Sequence, residues 1–206
     1  MNLQHPFTLL LAGPSGCGKT VFISRLIQLC RTRISPPIDR VVYVYHQHQH
    51  TFEQLARDSP VPIQFAESLD LAELTGNCFL VIDDFMGDKA VESKVADYFI
   101  KKSHHQNTSV AYMVQNVFHT SPLHRTISLN SHYIWLGKNP RSADQILRLA
   151  LQVFPKNHRF LREAYEDATK DAYGYLFLDF KQTTPNEHRV RSCVLDDEPV
   201  VYVPRV

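Results

Sequence analysis

The chain has 206 residues, 44% of them hydrophobic, which is the size of one large domain that can bury a core of its own. Its formal net charge is +1, so no overall basic field attracts nucleic acid, and any DNA contact must come from a local patch. The sequence has no run of about 18 apolar residues and no CxxC pair among its four cysteines. We therefore expect an intracellular, soluble protein with free thiols and no membrane contact.

The first half of the chain alternates apolar strands with amphipathic segments. FTLLLA at residues 7–12 is typical of a buried strand, and Gly-Pro ends it. In residues 19–32 the apolar side chains recur at i, i+3, i+4 and i+7, which predicts a helix. The next elements are predicted as strand 40–45, helix 51–58, minor strand 62–66, helix 69–75 and strand 78–83.

The second half repeats this alternation. The patterns predict helix 88–103, strand 109–115, an irregular connection over 116–131, strand 132–137, helices 142–153 and 157–170, and strands 174–180 and 189–195 before a polar tail. Ser142 and Gln145 have the spacing of a capping box at the start of one helix. The last two strands are predicted to form a hairpin.

Continuous apolar strands that alternate with amphipathic helices predict an α/β fold with a mostly parallel sheet covered by helices on both faces. The sequence shows no internal repeat, no low-complexity tract and no linker. We therefore predict one domain over residues 1–206.

The stretch GPSGCGKT, directly after the first strand, matches the phosphate-binding loop pattern G-x-x-x-x-G-K-[ST] at every fixed position. Glycines let the backbone turn its N–H groups toward phosphate oxygens, and the N-terminus of the following helix adds a favourable field. Lys19 can reach the β- and γ-phosphates of ATP, and Thr20 can ligate Mg²⁺. A loop that merely turns the chain is the alternative. The predicted phosphate-binding residues are Gly13, Pro14, Ser15, Gly16, Cys17, Gly18, Lys19 and Thr20.

Asp83 and Asp84 end the apolar run CFLVIDDF. In many ATPases the first acid of such a pair holds Mg²⁺ and the second polarises the attacking water, so we assign Asp83 to the metal and Asp84 to catalysis. A double acid at a strand end can also cap the next helix, which is the structural alternative.

Three further side chains are candidates for hydrolysis. Gln115 ends a buried strand, and the carboxyl ends of parallel strands line the ligand crevice, so Gln115 is a candidate γ-phosphate sensor. Arg125 and Arg141 flank the strand HYIWLG, and either could serve as an arginine finger donated across a subunit boundary. Both could equally be solvated surface arginines.

His46, His48 and His50 alternate in the stretch YHQHQH that follows the second strand. Three histidines at this spacing could bind zinc, but no acidic or cysteine partner lies nearby in the sequence. We interpret the stretch as a polar exit from the strand.

These motifs together resemble a known superfamily. Through FTLLLAGPSGCGKT, FLVIDDFM, HHQNTSVAYMVQN, RTISLNSHYIWLGKNPRS and YGYLFLDF, which span residues 7–180, the sequence resembles the FtsK–HerA superfamily of DNA-pumping ATPases. More narrowly, it is similar to the genome-packaging ATPases of Polinton/Maverick elements, adintoviruses and large eukaryotic DNA viruses.

The resemblance implies a RecA-like core, a homo-oligomeric ring and ATP-driven translocation of double-stranded DNA into a capsid, with a capsid or portal protein as partner. It also implies Lys19 and Thr20 on nucleotide and Mg²⁺, Asp83 on Mg²⁺, and Gln115 as sensor. Asp84 stands where many members of the superfamily have glutamate. The implied location is a virus assembly site or the nucleus.

Two other functions suit the residues. A small-molecule P-loop kinase would fit this length, with Arg141, Arg148, Arg159 and Arg162 in a lid over the phosphates. An oligomeric ATPase that assists replication or transposition is the other alternative. Asp84 and Gln115 favour water activation over transfer to a bound hydroxyl.

Overall fold

The structure is a computed structural model that describes residues 2–205 apart from 49, 70–73, 75, 119, 120 and 142. The predicted helix 69–75 falls mostly in one of these gaps, and Ser142 of the predicted capping box falls in another, so both lie outside the described residues.

The strands predicted from the sequence are present to within a few residues, and shorter strands accompany them. Their bounds are β1 Leu3–Gln4, β2 Thr8–Ala12, β3 Ile34–Ser35, β4 Arg40–Tyr45, β5 Ile63–Ala66, β6 Cys78–Asp83, β7 Thr108–Val114, β8 Tyr133–Gly137, β9 Tyr175–Asp179, β10 Val190–Ser192 and β11 Val200–Tyr202. The helices are α1 Lys19–Gln28, α2 Cys30–Arg33, α3 Phe52–Asp58, α4 Lys89–Asp97, α5 Ser103–His105, α6 Pro122–Leu129, α7 Ala143–Val153 and α8 His158–Ala168. A π-helix at Tyr98–Lys102 joins α4 to α5, and a 3₁₀ turn covers Asn186–His188.

Nine strands form one sheet in the order β11-β10-β9-β8-β2-β7-β6-β4-β5. The six strands from β8 to β5 run parallel, whereas β9, β10 and β11 are added antiparallel, each to the strand before it. The short strands β1 and β3 pair separately. We call the edge at which the parallel strands end the carboxyl edge and the opposite one the amino edge.

Helices cover both faces of this sheet, and the side chains of each strand alternate between them. On one face Leu10 of β2 shares a buried cluster with α4, α6, α7 and α8, for example with Leu161. On the other face Leu9 of β2 packs with α1 and α3, for example with Ile23. The predicted α/β fold with a mostly parallel sheet is therefore confirmed. Within the described residues, no helix has the length and apolar character needed to cross a membrane.

Two segments differ from the sequence-based expectation. The connection over 116–131 was predicted to be irregular, but it contains α6, because Ser121 caps the helix, Pro122 occupies its first turn and Ile127 is buried. The predicted polar tail contains β11, which pairs antiparallel with β10. Strand β11 gains its stability from pairing with β10, which the local sequence pattern does not report, whereas α6 carries local start signals that the prediction overlooked.

Polar contacts between distant segments close the amino edge. Nδ1 of the buried His5 lies 2.6 Å from Oγ of Ser109, and the Thr8 N–H donates to Nδ1 of His132 over 3.0 Å. The Lys181 ammonium donates to the Pro6 carbonyl over 2.8 Å. Burial, with the nearby charges of Lys181 and His104, lowers the pKa of His132 to about 4, so the ring is neutral and accepts the Thr8 bond at neutral pH.

Candidate functional site

A cleft of about 340 Å³ opens at the carboxyl edge, where the loops after β2, β4, β6 and β7 meet. This is where ligands bind in open α/β sheets. The residues that line it are Ser15, Gly16, Gly18, Lys19, Thr20, Val21, His46, Gln47, His48, Asp83, Asp84, Met113, Val114, Gln115 and Tyr173. The cleft therefore joins most of the predicted phosphate loop to both predicted acids and the predicted sensor.

The loop between β2 and α1 has the backbone that anion binding requires. Gly16 and Gly18 have φ angles of +78° and +103°, a region that side chains rarely adopt. Gly18 is also the N-cap residue of α1, so no side chain caps the first N–H groups of the helix. Space is tight at Gly13, where an added Cβ would lie 2.6 Å from Sγ of Cys17. The loop thus presents unshielded backbone donors to the cleft.

Lys19 begins α1, and its side chain folds back over the loop. Its ammonium donates to the Gly13 carbonyl over 2.5 Å and to the Pro14 carbonyl over 3.1 Å. These contacts hold the positive charge at the mouth of the loop. Thr20, the next residue, lines the same cleft.

The two acids after β6 have different environments. Asp83 is buried, and its carboxylate accepts a hydrogen bond of 3.0 Å from the hydroxyl of Tyr43 on the neighbouring strand. Burial and the adjacent Asp83 charge raise the pKa of Tyr43 far above its usual value, so this hydroxyl stays a donor. Asp84 is exposed and has a φ of +63°. The left-handed turn at Asp84 directs the chain out of the strand and leaves this second carboxylate in the open cleft.

A buried glutamate supports the loop that follows the acids. Glu92 on α4 is 1% exposed, and its carboxylate accepts bonds from the Gly87 N–H at 3.1 Å and from the Ser121 hydroxyl at 2.8 Å. These two bonds tie the loop after β6 to the start of α6. Glu92, which does not line the cleft, therefore helps to fix the loop that begins with Asp84.

Gln115 follows β7, is exposed and lines the cleft. The two residues after it are held by α7, because Gln145 donates to Oδ1 of Asn116 over 3.0 Å and accepts from the Val117 N–H over 3.2 Å. The loop that carries Gln115 is thus attached to a surface helix.

Neither predicted finger arginine lines this cleft. Arg125 lines a separate cavity of about 480 Å³ together with Arg148, and Arg141 is exposed after β8, with its N–H bonded to Oδ1 of Asn139 over 3.1 Å. The other arginines proposed for a kinase lid also lie elsewhere: Arg159 lines a cavity near β11, and Arg162 pairs with Glu166 on α8 over 3.6 Å. Among the described residues that line the cleft, the positive charge comes from Lys19.

Two groups of cleft residues were not assigned to the site from the sequence. His46, Gln47 and His48 follow β4, with the His46 ring 5.6 Å from that of Phe85. Their position after a parallel strand could have indicated the site. Tyr173 precedes β9, which gives no such signal, because β9 runs antiparallel. Within the described part of the chain, no group of three or more His, Cys, Asp or Glu side chains is placed to hold a metal ion.

A glycine-rich loop at the N-terminus of a helix, facing carboxylates at the end of a parallel sheet, characterises α/β proteins that bind phosphate-bearing ligands. Within that class, the chain belongs to the Poxvirus A32 protein family, whose model matches residues 2–194. No curated protein sequence matches the chain.

Solved structures share the fold. The genome packaging NTPase B204 from Sulfolobus turreted icosahedral virus 2, in complex with sulfate, is 11% identical, with 99% of each chain covered and a TM-score of 0.59. The same NTPase in complex with ATP-gammaS is also 11% identical, with 97% of each chain covered and a TM-score of 0.54. At this identity the likeness concerns the fold, which it covers from end to end.

Proposed function

We propose that this protein is an ATP-hydrolysing motor that translocates double-stranded DNA and packages a viral or virus-like genome into a capsid. The observation that carries the proposal is the cleft in which the phosphate loop faces Asp83, Asp84 and Gln115. Membership of the Poxvirus A32 protein family and a fold like that of a genome packaging NTPase support the assignment to packaging. The corresponding core is the RecA-like core of the FtsK–HerA superfamily.

The loop residues fit a nucleoside triphosphate with Mg²⁺. Gly16 and Gly18 leave the backbone of the loop without side chains of their own, and the Thr20 hydroxyl and Asp83 carboxylate are hard oxygen donors of the kind Mg²⁺ prefers. When bound, Mg²⁺ neutralises charge on the β- and γ-phosphates. Lys19 exchanges its bonds to the loop carbonyls for phosphate oxygens. Tyr43 keeps Asp83 oriented toward the cleft.

Asp84 is the candidate general base. Its carboxylate is exposed in the cleft, whereas that of Asp83 is bonded to Tyr43, so the two acids can serve different roles. Asp84 accepts a proton from the attacking water, which Gln115 on the next strand helps to orient. Transfer to a bound hydroxyl by a kinase would need a lid, and the four arginines considered for one lie away from the cleft.

The position of the arginines favours a ring of identical subunits. If Arg125 or Arg141 completes a neighbour's site, its replacement by alanine lowers hydrolysis by about 10³-fold, the lower end of the range for arginine fingers. Mixed rings of the arginine variant and Lys19→Ala then regain activity, because one subunit supplies the site and the other the arginine. Mixtures that remain inactive for both arginines would contradict a role in trans.

The experiment that tests the proposed motor is the ATPase rate per chain, measured at several protein concentrations with and without double-stranded DNA. We expect the rate to rise with protein concentration and to rise further with DNA, and Lys19→Ala to be inactive under all conditions. A rate per chain that depends on neither concentration nor DNA would indicate a monomeric enzyme and would contradict the motor.

A further inference from the structure

Tyr173 is an unusual residue in the wall of the cleft. Its side chain is 69% exposed although it is a large aromatic, and its φ of +64° is rare for a bulky residue. The turn that holds it is fixed by the next residue, Gly174, where any Cβ would collide with the Ala168 carbonyl oxygen. Backbone outliers of this kind cluster at ligand clamps, so the position of Tyr173 calls for a functional reason.

The order of the strands shows which part of a nucleotide would lie beside Tyr173. Asp84 follows β6, which is two strands from β2 on one side, or about 10 Å. Tyr173 precedes β9, which is two strands from β2 on the other side. A triphosphate that sits on the loop after β2 and points its γ-phosphate at Asp84 therefore directs its nucleoside toward Tyr173.

The surface at this end of the cleft suits a flat ring. An ideal Cβ on Gly18 would lie 3.6 Å from both Cβ and Cδ1 of Tyr173, so the aromatic side chain lies alongside the last glycine of the loop. Val21 on α1 lines the same cleft and is also 69% exposed. Tyr173 and Val21 thus leave apolar surface open in a cleft whose opposite end carries histidines and carboxylates.

We propose that Tyr173 stacks on the base of the bound nucleotide; this inference rests on the proposed function, because it takes the ligand to be a nucleoside triphosphate. Stacking tolerates any base, since every base has a π-face. Gly18, which lies beside Tyr173, brings no side-chain hydrogen-bonding group. Tyr173 accordingly raises the affinity for ATP and for GTP by similar factors, and base identity is read weakly.

The test measures binding of ATP, GTP and inorganic triphosphate to the wild-type chain, Tyr173→Ala and Tyr173→Phe. We expect Tyr173→Ala to bind ATP and GTP about 10-fold more weakly, which is within the range for loss of one stacking contact. Binding of inorganic triphosphate, which has no base, stays unchanged, and Tyr173→Phe stays close to wild type. Leu151→Ala, which removes a similarly exposed side chain (47%) from α7 outside the cleft, serves as the control.

The possible results separate this inference from the proposed function. Equal weakening of ATP and triphosphate in Tyr173→Ala, or no weakening of either, would overturn base stacking while leaving a working phosphate site. A wild-type chain that binds neither ATP nor triphosphate would overturn the proposed function, and the stacking role with it.

Discussion

The two edges of the same sheet are built in opposite ways. At the amino edge, the buried His5 bonds to Ser109, the partly buried His132 bonds to the Thr8 N–H, and Lys181 bonds to the Pro6 carbonyl, so these polar groups are paired across distant segments. At the carboxyl edge, Asp84 and Tyr173 are exposed and have left-handed backbone angles. The contacts named at the amino edge support the fold, whereas the exposed, strained residues at the carboxyl edge line the cleft, so we expect stability and function to be separated between the two edges. The following substitutions test that separation.

The largest expected effect is that of Lys19→Ala at the carboxyl edge. Loss of the ammonium that faces the phosphates should lower ATP hydrolysis by about 10³-fold, the size of effect seen when a preorganised charge or donor is removed. The free energy of unfolding should change by less than about 0.5 kcal/mol, because the side chain contacts its own loop. ATPase assays and urea denaturation measure the two quantities. A variant that unfolds readily would show that Lys19 also supports the fold.

Asp84→Asn should have the next largest effect. Removing the charge leaves nucleotide affinity near wild type but lowers the hydrolysis rate by about 10²-fold, the lower end of general-base contributions. Asp88→Asn is the matched control: it removes a carboxylate from the same loop, and asparagine still caps α4, as Asp88 does by accepting from the Ala90 and Val91 N–H groups. Single-turnover kinetics with measured ATP affinity distinguish the variants. Equal rates for Asp84→Asn and Asp88→Asn would remove Asp84 from catalysis.

A substitution of His132 tests whether the polar contacts at the amino edge stabilise the fold, because the contribution of this histidine to stability depends on pH. Its folded pKa of about 4 lies below the usual 6.5, so the unfolded chain binds the extra proton between these values. The stability it provides is present above about pH 6.5 and is lost as the pH falls toward 4, by about 3 kcal/mol in total. We expect the difference in the free energy of unfolding between pH 7 and pH 4.5, measured by urea denaturation, to be smaller in His132→Gln than in the wild-type chain. His5 and His104, whose pKa values burial also lowers, contribute to the slope that remains.

An unchanged slope in His132→Gln would show that protonation of His132 does not limit stability at low pH. ATP affinity at pH 7 is the companion measurement, and we expect His132→Gln to leave it unchanged because His132 lies at the edge away from the cleft. A large loss of affinity would contradict the separation of the two edges.

The smallest expected effect is a gain in stability. Glycine adopts a φ of +63° without a Cβ penalty, so Asp84→Gly should raise the free energy of unfolding by about 0.5 kcal/mol while hydrolysis is lost. Thermal unfolding followed by circular dichroism would measure the gain. A loss of about 1 kcal/mol, as expected for glycine at an ordinary position, would show that no strain is stored at Asp84.

Much of the fold follows from the sequence, because its parallel strands are buried on both faces and appear as continuous apolar runs. The hairpin β9–β10 was also predicted and is present. The direction of β9 relative to β8 could not be predicted, because it depends on contacts between distant segments. Strand β11 was missed because its short apolar run lies in an otherwise polar tail. Helix α6 was missed although Ser121-Pro122 is a sequence signal for a helix start.

The residues of the site also fall into some that could be predicted from the sequence and some that could not. Asp83, Asp84 and Gln115 were predicted together because each ends a parallel strand, and the structure places all three in the cleft. Tyr173 could not be predicted to lie there, because its strand begins at the edge where the others end. The arginines cannot be assigned from one chain, since neither Arg125 nor Arg141 lines its own cleft and their role stays a prediction.

The place of β2 in the sheet has a consequence for synthesis. This strand lies between β7 and β8, which are made roughly a hundred residues after it. At a synthesis rate of about 5–20 residues per second, its side chains, all buried in the finished sheet, wait about 5–25 seconds for either neighbour. A chain with such long-range pairing exposes an aggregation-prone segment while it is on the ribosome. Shortened products that end before β7 can form neither the centre of the sheet nor its phosphate loop.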